Sequence, residues 1–232
     1  MKLLVKLGGT LLDDDGSRTR LATELTELQR EGHALVVVHG GGKQMTRFLA
    51  ERGVESRFVN GLRVTTPEVV DALLKVFAGS VNHQLVSSLV TAGSMAVGLS
   101  GIDARLAEAE AMDPELGAVG RVVRSNASVL ETLTRDGFVP VVACVAGGAG
   151  GGVFNVNADQ MAVACAVAFQ AERLIFLTDV EGVKGSAGDV ISSLRLSDCA
   201  HLIRSGVATG GMEAKLNAAT DAICGGTREV VI

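Results

Sequence analysis

The stretch Ala-Leu-Val-Val-Val-His-Gly-Gly-Gly, residues 34–42, runs from an unbroken apolar segment into three consecutive glycines. A short apolar run bounded by turn residues is typical of a strand that is buried on both faces. The same arrangement opens the chain, where residues 3–7 end at Gly8 and Gly9. Two buried-type strands that each end in glycine predict a parallel sheet whose ligand-binding edge lies at those glycines.

Strand-like and helical patterns alternate along the rest of the chain. Helices are predicted over residues 19–31, about 43–52 and 157–169, and a small hairpin over 116–123. Further strands are predicted at residues 95–99, 138–145, 174–177 and 228–232. This alternation is typical of an α/β fold with a largely parallel sheet.

The composition limits the classes of partner. The 232 residues are 47% hydrophobic and carry a formal net charge of −5, which argues against nucleic acid or an anionic membrane as the main partner. The first ten residues lack a signal-peptide pattern, and no apolar run approaches the ~20 residues of a membrane span. We therefore predict a soluble, cytoplasmic protein.

The cysteines and histidines predict no metal site held by the protein itself. Cys144, Cys165, Cys199 and Cys224 are scattered among apolar or small neighbours, without a Cys-x-x-Cys pair. This favours buried reduced thiols over disulfides or metal ligands. The four histidines show no zinc-binding spacing.

The segment from Pro67 to Phe77 carries a broad apolar stripe. Proline can open a helix at its first turn. The apolar residues that follow cover roughly 160° of a helix surface, with Asp71 and Lys75 on the polar side. The stripe is either ordinary core or, in part, a dimer interface.

Glycines follow several other predicted strands, at Gly101, at residues 147–152 and at Gly210-Gly211. Glycine lets backbone amides approach an anion, although it can also simply make tight turns. Two such loops near the amino terminus favour phosphate binding. The chain has no Gly-x-x-x-x-Gly-Lys-[Ser/Thr] loop, and Met45 interrupts a dinucleotide fingerprint, which disfavours a dehydrogenase.

Two lysines lie near glycine pairs. Lys6 lies inside a buried-type strand, where an ammonium group is costly without a negative partner. Lys215 follows Gly210-Gly211 at a predicted helix start, where a solvated lysine is the alternative. Two lysines directed at one phosphate suit phosphoryl transfer, which depends on positioning and on neutralising charge.

Six motifs occur together in a characteristic order. They are Lys6-Leu7-Gly8-Gly9, His39-Gly40-Gly41-Gly42, Asn60-Gly61-Leu62-Arg63-Val64-Thr65, Asn155-Val156-Asn157-Ala158-Asp159, Thr178-Asp179-Val180-Glu181-Gly182 and Thr209-Gly210-Gly211-Met212-x-x-Lys215. In this order they resemble the acetylglutamate kinases of the amino acid kinase family, over residues 2 to about 231. The resemblance implies a carbamate kinase-like fold, a three-layer sandwich around a mostly parallel central sheet. It also implies transfer of the ATP γ-phosphoryl group to the γ-carboxylate of N-acetyl-L-glutamate, a step of arginine biosynthesis.

The resemblance implies a role for each motif. Lys6 and Lys215 would stabilise the transferred phosphoryl group, and Asp159 would orient both lysines rather than only cap a helix. Backbone amides of the glycines would hold phosphoryl oxygens, at Gly8, Gly9, Gly41 and Gly42.

The remaining motif residues would bind the two substrates. Arg63, unless it is an exposed surface residue, would bind the α-carboxylate of the acyl-glutamate together with Asn155, because an arginine fork matches a planar anion; Asn157 belongs to the same expected site. ATP, with Mg²⁺ carried on its phosphates, would lie against Thr178, Asp179, Gly182, Thr209, Gly210 and Gly211.

The expected reaction needs no general base. A γ-carboxylate with an ordinary pKa of about 4.3 is already ionised at neutral pH. The enzyme must instead suppress repulsion between two anions and hold them in line.

The resemblance also implies an organisation into two lobes. Residues 1–171 would bind the acyl-glutamate and form a homodimer through the Pro67–Phe77 helix, and residues 172–232 would bind ATP. Related sequences continue past the last predicted strand, so we expect the second lobe to be truncated, and residues 182–185 are shortened relative to the family. Strand one begins at Lys2, so we expect neither the hexamers nor the arginine inhibition of members with an amino-terminal helical extension.

Other functions are compatible with the fold. N-succinylglutamate is an alternative acceptor, whereas the carrier-linked aminoadipate kinases fit the motifs less well. A nucleotide sensor without catalysis is a further alternative, which the presence of Lys6, Asp159 and Lys215 together disfavours.

Overall fold

The computed structural model describes residues 1–8 and 10–232. Its strands, β1 to β12 in chain order, are Lys2–Leu7, Ala34–His39, Phe58–Val59, Leu62–Arg63, Met95–Ser100, Ala107–Ala111, Gly120–Ser125, Phe138–Ala143, Val145–Gly147, Val153–Asn155, Arg173–Leu177 and Glu229–Val231. Its α-helices, α1 to α8, are Asp15–Arg30, Gly42–Ala50, Pro67–Leu73, Asn82–Ala92, Ser128–Arg135, Ala158–Phe169, Leu196–Arg204 and Gly210–Cys224.

The main sheet has the strand order β12-β11-β1-β2-β8-β5, and all of its pairings within the described residues are parallel. Helices α1 and α4 contact each other, and α6 contacts β1, α5 and α8. In the register of β1, Leu7 lies beside His39 of β2 and Leu177 of β11. The predicted α/β fold with a mostly parallel sheet is confirmed, and the carboxyl ends of its first strands meet at one edge.

The predicted hairpin over residues 116–123 is wrong in its bounds. Strand β6 pairs antiparallel with β7, and Pro114–Leu116 forms a short 3-10 turn between them. Strand β6 was missed because its sequence, Ala-Glu-Ala-Glu-Ala, consists of helix-favouring residues. Its strict alternation, with Ala107 and Ala109 buried, is the signal that indicates a strand.

The glycines at residues 147–152 do not lie at the edge of the main sheet. They connect β9 to β10, which pair antiparallel in a second, four-stranded sheet of described residues. Gly148 N–H donates to Gly152 O at 2.8 Å across this turn. Here the tight-turn interpretation is correct.

Most of the apolar stripe that begins at Pro67 is core. Helix α3 begins at Pro67 as predicted, but it continues through a π-helical segment, Leu74–Val81, directly into α4. Val69, Leu73 and Phe77 are 3%, 0% and 6% exposed. Leu74 of the same stripe is 39% exposed, so part of the stripe stays accessible and the dimer interface stays a prediction.

Helix α1 begins four residues earlier than predicted. The side chain of Asp14 accepts a hydrogen bond from Ser17 N–H at 2.7 Å and so caps the helix before its first apolar residue. The signal was the run Asp13-Asp14-Asp15, whose capping preference is not visible in the spacing of apolar residues.

The core is continuous across the predicted lobe boundary. Strand β11 pairs directly with β1, although the two strands lie on opposite sides of residue 171. A separate small cluster lies entirely in the carboxyl-terminal part, formed by Val183, Cys199, Leu202, Ala208 and Leu216. The division into two functional lobes stays a prediction.

Three of the four cysteines are buried free thiols, as predicted. Burial raises the pKa of Cys144 and of Cys165 to about 12, so both thiols stay protonated at neutral pH. The prediction is wrong for Cys224, which is exposed in the last turn of α8. In the part of the chain that the structure describes, no helix is long and apolar enough to cross a membrane.

Helix α4 provides a test of the core. Leu89 is 0% exposed and its neighbour Val90 is 54% exposed. We expect Leu89→Ala to lower the free energy of unfolding by about 2–5 kcal/mol, since it leaves a cavity. Val90→Ala, the matched control, should change it by no more than about 0.5 kcal/mol. Urea unfolding measures both, and equal effects would contradict this assignment of the core.

Candidate active site

Three charged side chains from distant parts of the chain meet beside the carboxyl edge of the main sheet. Lys6 Nζ lies 2.6 Å from Asp159 Oδ1, and Lys215 Nζ lies 3.5 Å from Asp159 Oδ2. The three side chains are only 10–15% exposed. A buried side chain can stay charged when it is paired with an opposite charge. Asp159 is the negative partner that Lys6 requires.

The local sequence places Asp159 in the first turn of α6. Asn157 is the N-cap, and its Oδ1 accepts hydrogen bonds from the backbone amides of Asp159 at 2.9 Å and Gln160 at 3.3 Å. A carboxylate in the first turn is also favoured by the helix dipole. Capping is therefore carried by Asn157, which leaves the Asp159 carboxylate to the two lysines.

A cleft of about 650 Å³ opens over the two ammonium groups. It gathers residues from five of the six motifs: Lys6, Gly8, Gly42, Arg63, Thr178, Asp179 and Lys215. Residues predicted for the acyl substrate and residues predicted for the nucleotide thus line one space.

The cleft is strongly cationic although the chain carries a net charge of −5. Its described lining contains one carboxylate, Asp179, and five cationic side chains: Lys6, Lys43, Arg47, Arg63 and Lys215. Hydrogen bonds from its own amide and from Thr178 lower the pKa of Asp179. Such a local field suits a polyanion.

A second cavity of about 1300 Å³ adjoins the ion cluster. It is lined by Asn157 and Asp159, by Gly210 and Gly211, and by strand β7. Asp159 lines this cavity and its two lysine partners line the cleft. The ion cluster therefore lies between the two spaces.

Arg63 is held against the first turns of α2. Its guanidinium donates to Gly42 O at 3.1 Å, to Thr46 Oγ1 at 2.8 Å and to Ser56 Oγ, and it lies 4.6 Å from the centre of the Phe58 ring. Arg63 is 8% exposed, and this burial lowers its pKa. The alternative that Arg63 is an exposed surface residue is wrong.

Asn155 is linked to Arg63 through a buried threonine. Asn155 Nδ2 donates to Thr65 Oγ1 at 3.0 Å, and Thr65 Oγ1 donates to the Arg63 carbonyl at 2.8 Å. The structure thus joins the motif around Arg63 to the motif around Asn155.

The two glycine loops differ in whether their backbone amides are already hydrogen-bonded within the protein. Gly8 N–H donates to Leu177 O at 2.9 Å, so the amide contact predicted for Gly8 is wrong, although Gly8 lines the cleft. The predicted contact of Gly9 lies outside the described residues. Gly41 N–H and Gly42 N–H donate to no acceptor among the described residues.

The remaining residues predicted for the nucleotide are Gly182 and the start of α8. Gly182 has φ of +141° and Gly210 has φ of +55°, a region that favours glycine. Thr209 is the N-cap residue of α8 and makes no side-chain capping bond within the described part of the chain. Gly210 and Gly211 line the larger cavity rather than the cleft.

Comparison with known proteins identifies the family. The family description "Amino acid kinase family" matches residues 1–232. The chain belongs to the amino acid kinase family.

Curated relatives and a solved structure agree with this assignment. The chain is 62% identical over 232 residues to the acetylglutamate kinase of Solibacter usitatus (strain Ellin6076), covering 100% of this chain and 90% of the relative. It is 42% identical over 234 residues to the acetylglutamate kinase of Acidobacterium capsulatum, with the same coverage. The solved structure of smu.665 from Streptococcus mutans UA159 is similar, with a TM-score of 0.89, 28% identity and coverage of 99% of this chain and 93% of the other. The predicted family and fold are confirmed.

Sequence reasoning missed one side of this amino acid kinase's cleft. Lys43, Thr46 and Arg47 line it from α2, and their spacing of three and four residues places them on one face of the helix. The polar side of α2 beside the glycine loop was the available signal. Thr10 and Phe58 also line the cleft and carried no comparable signal.

The ion cluster provides a second test of stability. Asp159→Asn leaves two buried ammonium groups without their carboxylate. We expect the free energy of unfolding of this kinase variant to fall by about 3–5 kcal/mol. The control Asp179→Asn changes an exposed carboxylate of the same cleft and should cost no more than about 0.5 kcal/mol. An Asp159→Asn protein as stable as the wild type in urea would contradict the assignment.

Proposed function

We propose that this chain is an acetylglutamate kinase. It transfers the γ-phosphoryl group of ATP to the γ-carboxylate of N-acetyl-L-glutamate, giving N-acetylglutamyl phosphate and ADP in arginine biosynthesis. The observation that carries the proposal is the Lys6–Asp159–Lys215 cluster, whose two ammonium groups face a cleft lined by residues of both expected substrate sites. The curated relatives named above support the choice of acceptor.

The two lysines neutralise charge in the transfer step. An oxygen of the acceptor carboxylate attacks the γ-phosphorus, and the bond from that phosphorus to the oxygen of the ADP leaving group breaks. Lys6 and Lys215 are held by Asp159 before substrate arrives, so little reorganisation is needed to stabilise the transferred group. No proton has to be removed, because the acceptor is already an anion.

The amino acid acceptor is held by groups around the glycine loop. Gly42 and Arg63 line the cleft, and Gly41 precedes Gly42. The amides of the two glycines, which have no acceptor among the described residues, would hold the reacting oxygens, and the Arg63 guanidinium would bind the α-carboxylate. Asn155 and Asn157 complete this site: the first supports Arg63 through Thr65, and the second lines the adjoining cavity.

The nucleotide occupies the other side of the cleft. Thr178 and Asp179 line it there. Thr209, Gly210 and Gly211 at the start of α8, and Gly182, would complete the nucleotide site. Among the described residues, no three His, Cys, Asp or Glu side chains form a metal-binding group. We propose that Mg²⁺ is carried on the ATP phosphates, where it would neutralise phosphate charge, with Asp179 as the ionised carboxylate of the cleft.

Location and assembly complete the proposal. The enzyme acts in the cytoplasm, residues 1–171 form the acyl-glutamate lobe and residues 172–232 the ATP lobe. It forms a homodimer through the Pro67–Phe77 helix, whose Leu74 is 39% exposed. Sedimentation velocity tests the dimer, and a purely monomeric protein at micromolar concentration would contradict it.

N-succinylglutamate is the second candidate acceptor. The 1300 Å³ cavity beside Asn157 offers more room than an acetyl group requires, and Arg121 and Arg124 line its wall on β7. These cations could bind the additional carboxylate of a succinyl group.

The decisive assay follows ADP release with MgATP and N-acetylglutamate, N-succinylglutamate or free glutamate. Lys6→Ala removes a charge that the transferred group needs, so we expect kcat to fall by about 10²–10³-fold. The control Lys75→Ala changes an exposed lysine of the π-helical segment and should keep wild-type activity. Turnover that persists in Lys6→Ala would contradict the assigned role, and no turnover by the wild type would overturn the function.

A second pair of variants separates the two acceptors. If the succinyl compound is a substrate, Arg121→Ala and Arg124→Ala should raise its KM about tenfold or more, since a charged hydrogen bond is lost. The KM for N-acetylglutamate should stay unchanged. Equal effects on both acceptors would exclude a succinyl-specific contact.

A further inference from the structure

A buried polar pair lies directly behind the second glycine loop. His39, the last residue of β2, is 0% exposed, and Asn82, the first residue of α4, is 1% exposed. Neither side chain lines the cleft, and neither has a role in the reaction proposed above. Burying a polar group destabilises the fold unless the group is hydrogen-bonded. The hydrogen-bond partners of this pair therefore indicate its role.

The contacts of Asn82 determine the orientation of its amide. Its Nδ2 lies 2.9 Å from Val141 O and 2.9 Å from His39 Nε2. A carbonyl oxygen can only accept, so the atom facing it must be the amide nitrogen. That nitrogen can only donate, and His39 Nε2 must therefore be the accepting, unprotonated nitrogen of the ring.

The imidazole of His39 then carries its proton on Nδ1. Burial lowers the pKa of His39 to about 4, so the ring is neutral at physiological pH and holds a single proton. Nδ1 lies 2.8 Å from Gly40 O and donates to it. Asn82 thus selects the tautomer, and the tautomer holds the Gly40 carbonyl.

The held carbonyl determines where the next amide points. The Gly40–Gly41 peptide is trans, and in a planar trans peptide the C=O and the following N–H point in opposite directions. Because His39 holds Gly40 O, the N–H of Gly41 must point away from the ring. This amide is one of those without an acceptor among the described residues.

Packing keeps the loop in this position. A Cβ added at Gly41 would lie 2.9 Å from the Phe77 ring and 3.3 Å from Val81, both in the π-helical segment. A Cβ at Gly98 of β5 would overlap Asn82 Oδ1, so glycine there leaves room for the amide. The π-helical segment, a feature often found at functional sites, thus contacts Gly41 and leads directly into Asn82.

We propose that His39 and Asn82 are positioning residues that orient the Gly40–Gly41 peptide, so that the Gly41 amide faces the acceptor oxygen that receives the phosphoryl group. The inference rests on the proposed kinase function and deepens it. A buried pair that only stabilised the fold would change the unfolding midpoint and leave kcat of the folded enzyme unchanged.

Two isosteric variants separate the ring nitrogens. The amide nitrogen of His39→Asn can occupy the place of Nδ1 and keep the bond to Gly40 O. The longer His39→Gln reaches the place of Nε2 and keeps only the contact with Asn82. We expect His39→Asn to retain kcat within about threefold and His39→Gln to lose about 10–100-fold, since small misplacements of a reacting group are costly.

Each variant is compared with wild type for kcat, for both KM values and for the unfolding midpoint. Wild-type turnover with the same acceptor tests the proposed function separately, so its failure is distinguishable from failure of this inference. Equal kcat losses in the two variants, or losses that follow the unfolding midpoints, would overturn the positioning role.

A further measurement leaves His39 and Asn82 unaltered. The triple variant His33→Gln, His83→Gln, His201→Gln leaves His39 as the only histidine. Its ¹H–¹⁵N long-range spectrum should show the Nδ1–H tautomer at neutral pH, with protonation only near pH 4. An Nε2–H tautomer, or a ring that is protonated at neutral pH, would overturn the inference.

Discussion

The carboxylate of Asp159 between two buried ammonium groups is the interaction on which the rest of the site depends. Lys6 comes from the first strand and Lys215 from the last helix. Their two positive charges repel each other, so neither lysine can hold the other in place. Bringing two like charges together away from water is unfavourable without a counter-charge. Asp159 supplies that charge, and the Asn157 cap fixes where Asp159 lies.

The parallel sheet makes this arrangement possible. Because β1, β2 and β11 run side by side in one direction, the loops that follow them open at the same edge. The loops have different roles nevertheless. The amide of Gly8 completes the sheet by bonding Leu177 O, whereas the amides of Gly41 and Gly42 remain available to a ligand. A glycine-rich sequence therefore does not by itself indicate which amides bind an anion.

The charge of the cleft is a local property. The chain as a whole is acidic, and yet five cationic side chains surround one carboxylate in the space over the ion cluster. Substrates that are both anionic need such a field to approach each other. The net charge of the whole chain contained no information about this cleft.

The sequence by itself determined the elements whose causes are local. The apolar runs of β1 and β2, the helix opened by Pro67 and the cap at Asn157 are each encoded within a few residues. The order of the six motifs was sufficient to identify the family and to name most residues of the cleft.

Only the tertiary structure decided which groups meet. The alternating strand β6 forms because β7 pairs with it, the stripe at Phe77 is core because the glycine loop covers it, and Cys224 is exposed because of its place on α8. The partner of Gly8 N–H and the contact between His39 and Asn82 join residues far apart in the chain. Hydrogen bonds and burial depend on distances in space, and local patterns along the chain do not contain those distances.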